Sequence, residues 1–420
     1  MKQKTTFAYT LFLLLLAFQT TAQNPFGINL AGADFGSNMP GTFGVDYTYP
    51  TASELDYYKS KGLTLIRLPF KWERIQPTLN GSLNLNELQR IKTVLNSAEN
   101  RDMKVILDLH NYCRYKLNGQ EMIIGSSQLN ITHIKDLWTK LAIEFKDYSN
   151  IWGYGIMNEP HDLLPNASWF DTAQDIINGI RTQDAQTSII VAGDSWSSAE
   201  RWLQYSDNLK NLNDTSNKLI FEAHVYFDND ASGKYDANYD AEGAYPNIGI
   251  DRVAPFVNWL QANNLNGFVG EYGVPADDNR WLTALDNFLD YLSQNCINGT
   301  YWAGGPWWGN YILSVEPDGS TDKPQMAILE KHLSTTSTCK TLSSNNIESD
   351  IKFQLFPNPF NDHIVIKGIE SGAIINISDL QGRLVATQVV ENSTIMNLDG
   401  LHSGVYILKY ENKFIGRVVK

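Results

Sequence analysis

Two glutamates, Glu159 and Glu271, each close an apolar run of the kind that forms a buried strand. Glu159 follows Ile151-Trp152-Gly153-Tyr154-Gly155-Ile156 in Met157-Asn158-Glu159-Pro160, and Glu271 ends Gly267-Phe268-Val269-Gly270-Glu271. Cleaving a glycosidic bond needs one carboxylic acid to protonate the leaving oxygen. It also needs a second carboxylate to attack the anomeric carbon or to activate water. The two must differ in protonation at one pH, so their neighbours must set them apart. Candidate neighbours stand at or just past the ends of other β-like runs: Arg67, His110, His224, Tyr226 and Trp302. An adjacent Arg67 and a donor such as Tyr226 would keep Glu271 ionised. Asn158 would donate to the sugar hydroxyl beside the reacting carbon.

Each of these residues has a blander use. Arg67 could be a structural ion pair inside the fold. Asp108, two residues before His110, reads as a buried hydrogen-bond partner and not as a catalytic group. Two histidines near carboxylates would also suit a metal. They fall on separate runs, however, with neither HxH nor HExxH spacing. No metal and no cofactor is expected, and both histidines read as hydrogen-bond partners of sugar hydroxyls or carboxylates. The segment Trp302-Ala303-Gly304-Gly305-Pro306-Trp307-Trp308-Gly309 offers flat apolar faces for pyranose rings, with Trp302 and Trp307 the chosen contacts. Trp196, in Gly193-Asp194-Ser195-Trp196, is a further platform or a packing residue at a helix start.

Something must bring these residues together. Strand-like runs lie at Phe26–Leu30, Leu63–Pro69, Lys104–Leu109, Ile151–Met157, Ser188–Ala192, Leu219–Tyr226, Gly267–Glu271 and Gly299–Trp302. Several are continuous Val/Ile/Leu/Phe runs, the pattern of parallel strands covered on both faces. Amphipathic segments separate most of them: Leu85–Asn100, Ile131–Lys146, Trp169–Thr182, Arg252–Asn263 and Arg280–Ser293, with a last helix at Lys323–Leu333. Eight such units predict an α/β fold, a (β/α)₈ TIM barrel, whose chemistry sits at the C-terminal strand ends. A doubly wound open sheet is disfavoured, because no Gly-rich phosphate turn follows the first strand.

A composition shift near Ser334 leads through the linker-like Ser334-Thr335-Thr336-Ser337-Thr338 and Leu342-Ser343-Ser344-Asn345-Asn346 into short β runs. Phe353–Phe356, Ile364–Lys367, Ile374–Ser378, Leu384–Val390 and Val405–Tyr410 predict a small all-β sandwich. The expected organisation is a signal peptide at 1–22, a catalytic barrel at 23–335, a linker at 336–350 and the sandwich at 351–420. The leader reading rests on the basic start Met1-Lys2-Gln3-Lys4, a short apolar run from Leu11 to Phe18, and small residues before Ala22.

The chain of 420 residues carries a formal net charge of −13, which argues against nucleic acid and anionic lipid as partners. At 12% aromatic residues, with 11 Trp and 20 Tyr, it suits a neutral sugar polymer. No run of the mature chain is long enough to span a membrane, and a monomer is expected. Three cysteines, Cys113, Cys296 and Cys339, leave at least one thiol unpaired. In a barrel, Cys296 before the eighth strand and Cys339 after the last helix both fall at the bottom face, so a Cys296–Cys339 disulfide is expected.

Residues 24–335 resemble glycoside hydrolase family 5. The pieces that carry the likeness are Arg67-Leu68-Pro69-Phe70, Leu109-His110-Asn111-Tyr112, Asn158-Glu159-Pro160, His224-Val225-Tyr226, Gly270-Glu271-Tyr272-Gly273 and the Trp302 loop. Gly27-Ile28-Asn29-Leu30-Ala31-Gly32, Phe70-Lys71-Trp72-Glu73-Arg74-Ile75-Gln76-Pro77 and Ala303-Gly304-Gly305-Pro306-Trp307-Trp308-Gly309 are similar to the fungal-type endoglucanase branch. The resemblance implies retaining endo-β-1,4-glucan cleavage. Glu159 would be the acid/base, Glu271 the nucleophile, and Arg67, His110, Asn158, His224, Tyr226 and Trp302 the innermost site. Rival readings are the same chemistry on mannan, xyloglucan or mixed-linkage glucan, and a non-catalytic glycan-binding surface protein.

The tail resembles the C-terminal sorting domain of type IX secretion. The matching pieces are Phe356-Pro357-Asn358-Pro359, Asp379-Leu380-Gln381-Gly382-Arg383, Leu401-His402-Ser403-Gly404-Val405-Tyr406 and Arg417-Val418-Val419-Lys420. This implies the type IX machinery as a partner and a secreted or cell-surface location.

Overall fold

The computed structural model describes residues 26–333, 354–367, 373–379, 383–390, 395–410 and 413–420. The leader, the linker and Cys339 lie outside these residues. The chain divides into two compact units, with the boundary after Leu342.

In the first unit eight strands close a barrel: Phe26–Leu30, Leu65–Phe70, Lys104–Leu109, Ile151–Gly155, Ser188–Ala192, Leu219–Tyr226, Gly267–Gly273 and Asn298–Gly304. Every neighbouring pair is parallel. The strands are apolar on both faces because helices cover the outside and side chains fill the inside. Leu65, Ile106, Ile190, Ile220 and Phe268 form a buried apolar layer of their own, with Trp152 packed against it. Two residues further along their strands, on the same face, stand Arg67, Asp108 and Glu222, all buried. The barrel is thus plugged with hydrocarbon below and with charge above.

Four of the long helices begin where a short polar side chain accepts a first-turn amide. Asn84 caps Leu85–Glu99, Asn130 caps Ile131–Phe145, Ser168 caps Trp169–Arg181 and Asp278 caps Asn279–Gln294, each cap worth about 1 kcal/mol. Several expected boundaries move by one to four residues, and two matter. The helix expected from Arg252 begins at Ile248 and accommodates Pro255 at the start of its third turn. The fourth strand stops at Gly155 and not at Met157, so Asn158 and Glu159 belong to the loop beyond it. A helix at Ala52–Ser60, with a Thr51/Glu54 capping box, and a hairpin of Arg114–Leu117 with Gln120–Ile123 were not in the sequence reading.

The second unit is all β, with a three-stranded and a four-stranded antiparallel sheet. Strands Ile395–Asn397 and Lys413–Val419 add to the five expected. Ile364, Ile366, Ile375, Ile377, Met396 and Leu408 are buried in its core. Among the described residues no helix is long and apolar enough to cross a membrane.

Cys113 is buried and free, and Cys296 is disulfide-bonded. Thiol titration of the unreduced protein in denaturant should therefore return one thiol, with Cys339 as the second half of the bridge. A count of three would refute the bridge.

Candidate active site

Arg67 occupies the centre of the polar layer and is wholly shut off from solvent, at 0% exposure. The guanidinium offers donors in a fixed plane, and the barrel supplies acceptors from five strands or their ends. Nη1 donates to Asn29 Oδ1 and to Glu271 Oε1, both at 3.0 Å. Nη2 donates to Asn158 Oδ1 at 2.6 Å and pairs with Asp108 Oδ1 at 3.0 Å. Nε pairs with Glu222 Oε1 at 3.0 Å. Burial alone would weaken the charge, but Asp108, Glu222 and Glu271 overcome it and hold the guanidinium protonated. Arg67 was expected beside Glu271, holding it ionised, and it stands there, fully enclosed, with the acids and Asn158 as its partners.

Glu271 reaches this centre through a backbone irregularity. His224 pairs with Glu271 and Ala223 with Val269, so Gly270 is an extra residue in the seventh strand. Such a bulge reverses which face the next side chain meets. Phe268 points into the barrel and Val269 out into the helical shell. After the bulge Glu271 points in again and Tyr272 out, against Phe288. The Gly270 carbonyl accepts from Asn29 Nδ2 at 2.8 Å and Thr300 Oγ1 at 2.6 Å, which pins the bulge. A Cβ on Gly270 would overlap the Glu222 carboxylate, so only glycine fits.

The Glu271 carboxylate accepts from Arg67 on Oε1 and from the Tyr226 hydroxyl on Oε2 at 2.8 Å. Burial pushes its pKa up to about 7; His224, Arg67 and Tyr226 pull it down, while the charge of Glu159 adds to the rise. Glu159 sits in the loop after the fourth strand with a left-handed φ of 46°. Its Oε1 lies 2.7 Å from His224 Nδ1, which is also 3.6 Å from Glu271 Oε2. One oxygen of Glu159, one of Glu271 and a nitrogen of His224 all lie within 4.8 Å of one another. Such a trio resembles a cation site, but here positive charge is already present. Burial lowers the pKa of His224, yet Glu271, Glu159 and Glu222 raise it to about 10, so the ring carries a proton at neutral pH.

His110 is the opposite case. Burial lowers its pKa to about 3, so the ring is neutral. Its Nδ1 faces Asp108 Oδ2 at 2.8 Å, which makes Nδ1 the protonated nitrogen and Nε2 the acceptor. Nε2 lies 3.4 Å from Asn158 Nδ2. Asn158 is therefore fixed at both ends, its oxygen on Arg67 and its nitrogen towards His110.

The aromatic positions divide. Trp302 is 8% exposed and stacks on His110, with ring centres 5.5 Å apart and planes 10° apart. Trp307 is 40% exposed and Trp196 39%. Trp308 packs edge-on against Trp302 and Phe35 and stacks on Tyr311, so it buttresses the loop. Trp196 stacks on His161 at 4.3 Å and lies in a run of three left-handed residues, Ser195 to Ser197. Its amide donates to the Pro160 carbonyl, which ties it to the Glu159 loop. The sequence reading missed Asn29 and Glu222, although a polar residue inside an apolar strand run was a usable signal at both positions.

Residues 23–307 match the family described as cellulase (glycosyl hydrolase family 5). The chain belongs to glycosyl hydrolase family 5. Endo-beta-1,4-glucanase B of Aspergillus niger is 34% identical over 313 residues, 73% of this chain and 90% of the relative. The crystal structure of Pseudomonas stutzeri endoglucanase Cel5A in complex with cellobiose is 42% identical, with a TM-score of 0.71 over 75% of this chain and 94% of that one. XacCel5A in complex with cellopentaose is 39% identical, with a TM-score of 0.68 over 74% and 99%. Residues 354–420 match a secretion system C-terminal sorting domain. In this family 5 chain Gly270→Ala should cost about 1–3 kcal/mol of stability through overpacking against Glu222, read as a lower melting temperature. An unchanged melting temperature would refute the steric account of the bulge.

Proposed function

We propose that this protein is an exported endo-β-1,4-glucanase that cuts internal bonds by a retaining double displacement. Glu159 is the general acid/base and Glu271 the nucleophile. The carrying observation is the separation: an oxygen of each carboxylate lies within 4.8 Å of the other. Retaining glycosidases hold their carboxyl groups roughly 5–5.5 Å apart, whereas inverting ones leave room for a water between them. The named activity of the similar proteins supports the glucan reading.

In the first step Glu271 attacks the anomeric carbon from below. Arg67 and Tyr226 hold the two oxygens of its carboxylate, which fixes its line of attack. Glu159 protonates the departing oxygen. In the second step Glu159 takes a proton from water, which displaces Glu271 from the sugar. Asn158 Nδ2, aimed by Arg67 and His110, donates to the hydroxyl beside the reacting carbon. Trp302, stacked on His110 beside Asn158, is the aromatic contact for the reacting sugar, and Trp196 and Trp307 are outlying platforms for a longer chain. No metal or cofactor takes part. The sorting tail supports export to the outside of the cell or its surface; removal of residues 1–22 and a monomeric state belong to the same reading.

Product analysis on soluble cellulose, mannan, xyloglucan and mixed-linkage glucan tests the substrate. Cello-oligosaccharides from soluble cellulose, released fastest, are expected. Faster release from mannan or xyloglucan would move the preference, and binding without turnover on all four would end the enzymatic reading. Glu159→Gln should lower turnover by about 10²–10⁴-fold, with Glu271→Gln at least as damaging.

Tyr226→Phe supplies a test of protonation. The hydroxyl stabilises the ionised form of Glu271 and lowers its pKa. Its loss raises that pKa, and the nucleophile must be ionised, so the acid limb of kcat/KM should move to higher pH. A shift to lower pH, or none, would contradict the role of Glu271.

A further inference from the structure

Glu222 lies 1% exposed beneath the site and plays no part in the steps above. A single oxygen of it, Oε1, meets two cations. Arg67 Nε is 3.0 Å away and His224 Nε2 3.2 Å. Arg67 is the cation on Glu271, and His224 is the cation on Glu159. The two glutamates that must act in concert are therefore each held by a positive group, and both positive groups converge on one buried atom. The space for that atom exists only because the neighbouring strand carries Gly270 at the bulge before Glu271.

We propose that Glu222 is the positioning residue that couples the two catalytic glutamates, anchoring Arg67 for Glu271 and His224 for Glu159. This rests on the assignment of Glu159 and Glu271 given above. The groups that face His224 are Glu159 from the fourth-strand loop, Glu271 from the seventh strand, and Glu222 from its own strand. Arg67, Asp108 and His110 stand behind Glu222. Of these, only Glu222 meets the ring at Nε2. Its charge adds to those of Glu271 and Glu159 in favouring the second ring proton, and its contact at Nε2 leaves Nδ1–H directed at Glu159 Oε1.

A proton source for the acid follows. On glycosylation the Nδ1–H bond breaks and a Glu159 O–H bond forms. That O–H bond breaks in turn as the leaving sugar oxygen takes the proton, the C1–O bond cleaves, and Glu271 bonds to C1. On deglycosylation water attacks C1, Glu271 leaves as carboxylate, and the water's proton returns through Glu159 to His224. Nothing beyond water is consumed. Glu222 keeps its charge throughout and touches no substrate.

The test compares the full chain with Glu222→Gln, which keeps shape and hydrogen-bonding oxygen but removes the charge. Histidine ¹⁵N resonances are titrated without substrate, and kcat and KM are followed against pH on soluble cellulose. In the wild type the His224 ring should remain doubly protonated beyond about pH 8, far above the ordinary value of about 6.5. In Glu222→Gln its titration should fall by about one pH unit or more. The basic limb of the rate profile should fall with it, and kcat should drop about 10-fold or more with KM within about twofold. A wild-type ring that titrates near the ordinary value overturns the proposal even if the variant does not fold. So does a folded variant with wild-type titration and profile. Absence of any glucan hydrolysis by the wild type would instead sink the functional reading, while the titration would still decide the Glu222–His224 coupling.

Discussion

A guanidinium with no exposure to water must be surrounded by acceptors, and this one constraint organises the upper half of the barrel. Leaving a buried charge unpaired costs several kcal/mol. Arg67 accordingly draws Asp108, Glu222 and Glu271 to within 3.0 Å. Those acids, with Glu159, outnumber the two cations Arg67 and His224. Negative charge is in excess, so protons become part of the structure. Burial pushes Asp108 and Glu271 up to about 7 each, and the same field pulls His224 up to about 10. The site is a set of acids sharing a limited number of protons in a place water cannot screen.

That arrangement serves catalysis because the backbone decides which acid faces what. Period-two alternation would have turned Glu271 outwards into the helical shell. The extra residue Gly270 turns it inwards, and Asn29 and Thr300 hold the bulge from its carbonyl. Glu159 takes a left-handed backbone beyond its strand instead. Neither acid continues a regular strand, and irregular backbone of this kind recurs at functional sites. The regular strands below supply stiffness, and the departures above supply aim.

Much of this was legible in the amino-acid order. The eight apolar runs were visible because both faces of a barrel strand are covered, and strand registry then brought Glu159, Glu271, His224 and Tyr226 to one mouth. What escaped was depth. The sequence tells that Arg67 sits near a strand end, not which layer of the barrel it fills. Asn29 and Glu222 were passed over inside apolar runs, although a lone polar residue there must find a buried partner. The Arg114–Ile123 hairpin has polar, weakly alternating strands. Its stability comes from contacts such as Arg114 to the Tyr112 and His161 carbonyls, which no local pattern reveals. Exposure of Trp196 was undecidable locally, since it depends on three successive left-handed residues.

The pairing of Glu159 with Glu271 is tested most directly by trapping. A 2-deoxy-2-fluoro cellobioside with a good leaving group slows breakdown of the glycosyl-enzyme, and peptide mass spectrometry locates the attached sugar. The account predicts one sugar per chain, on the peptide that contains Glu271, released on reactivation with acceptor. Attachment at Glu159, or turnover with the α-anomer formed first and no adduct, would contradict it.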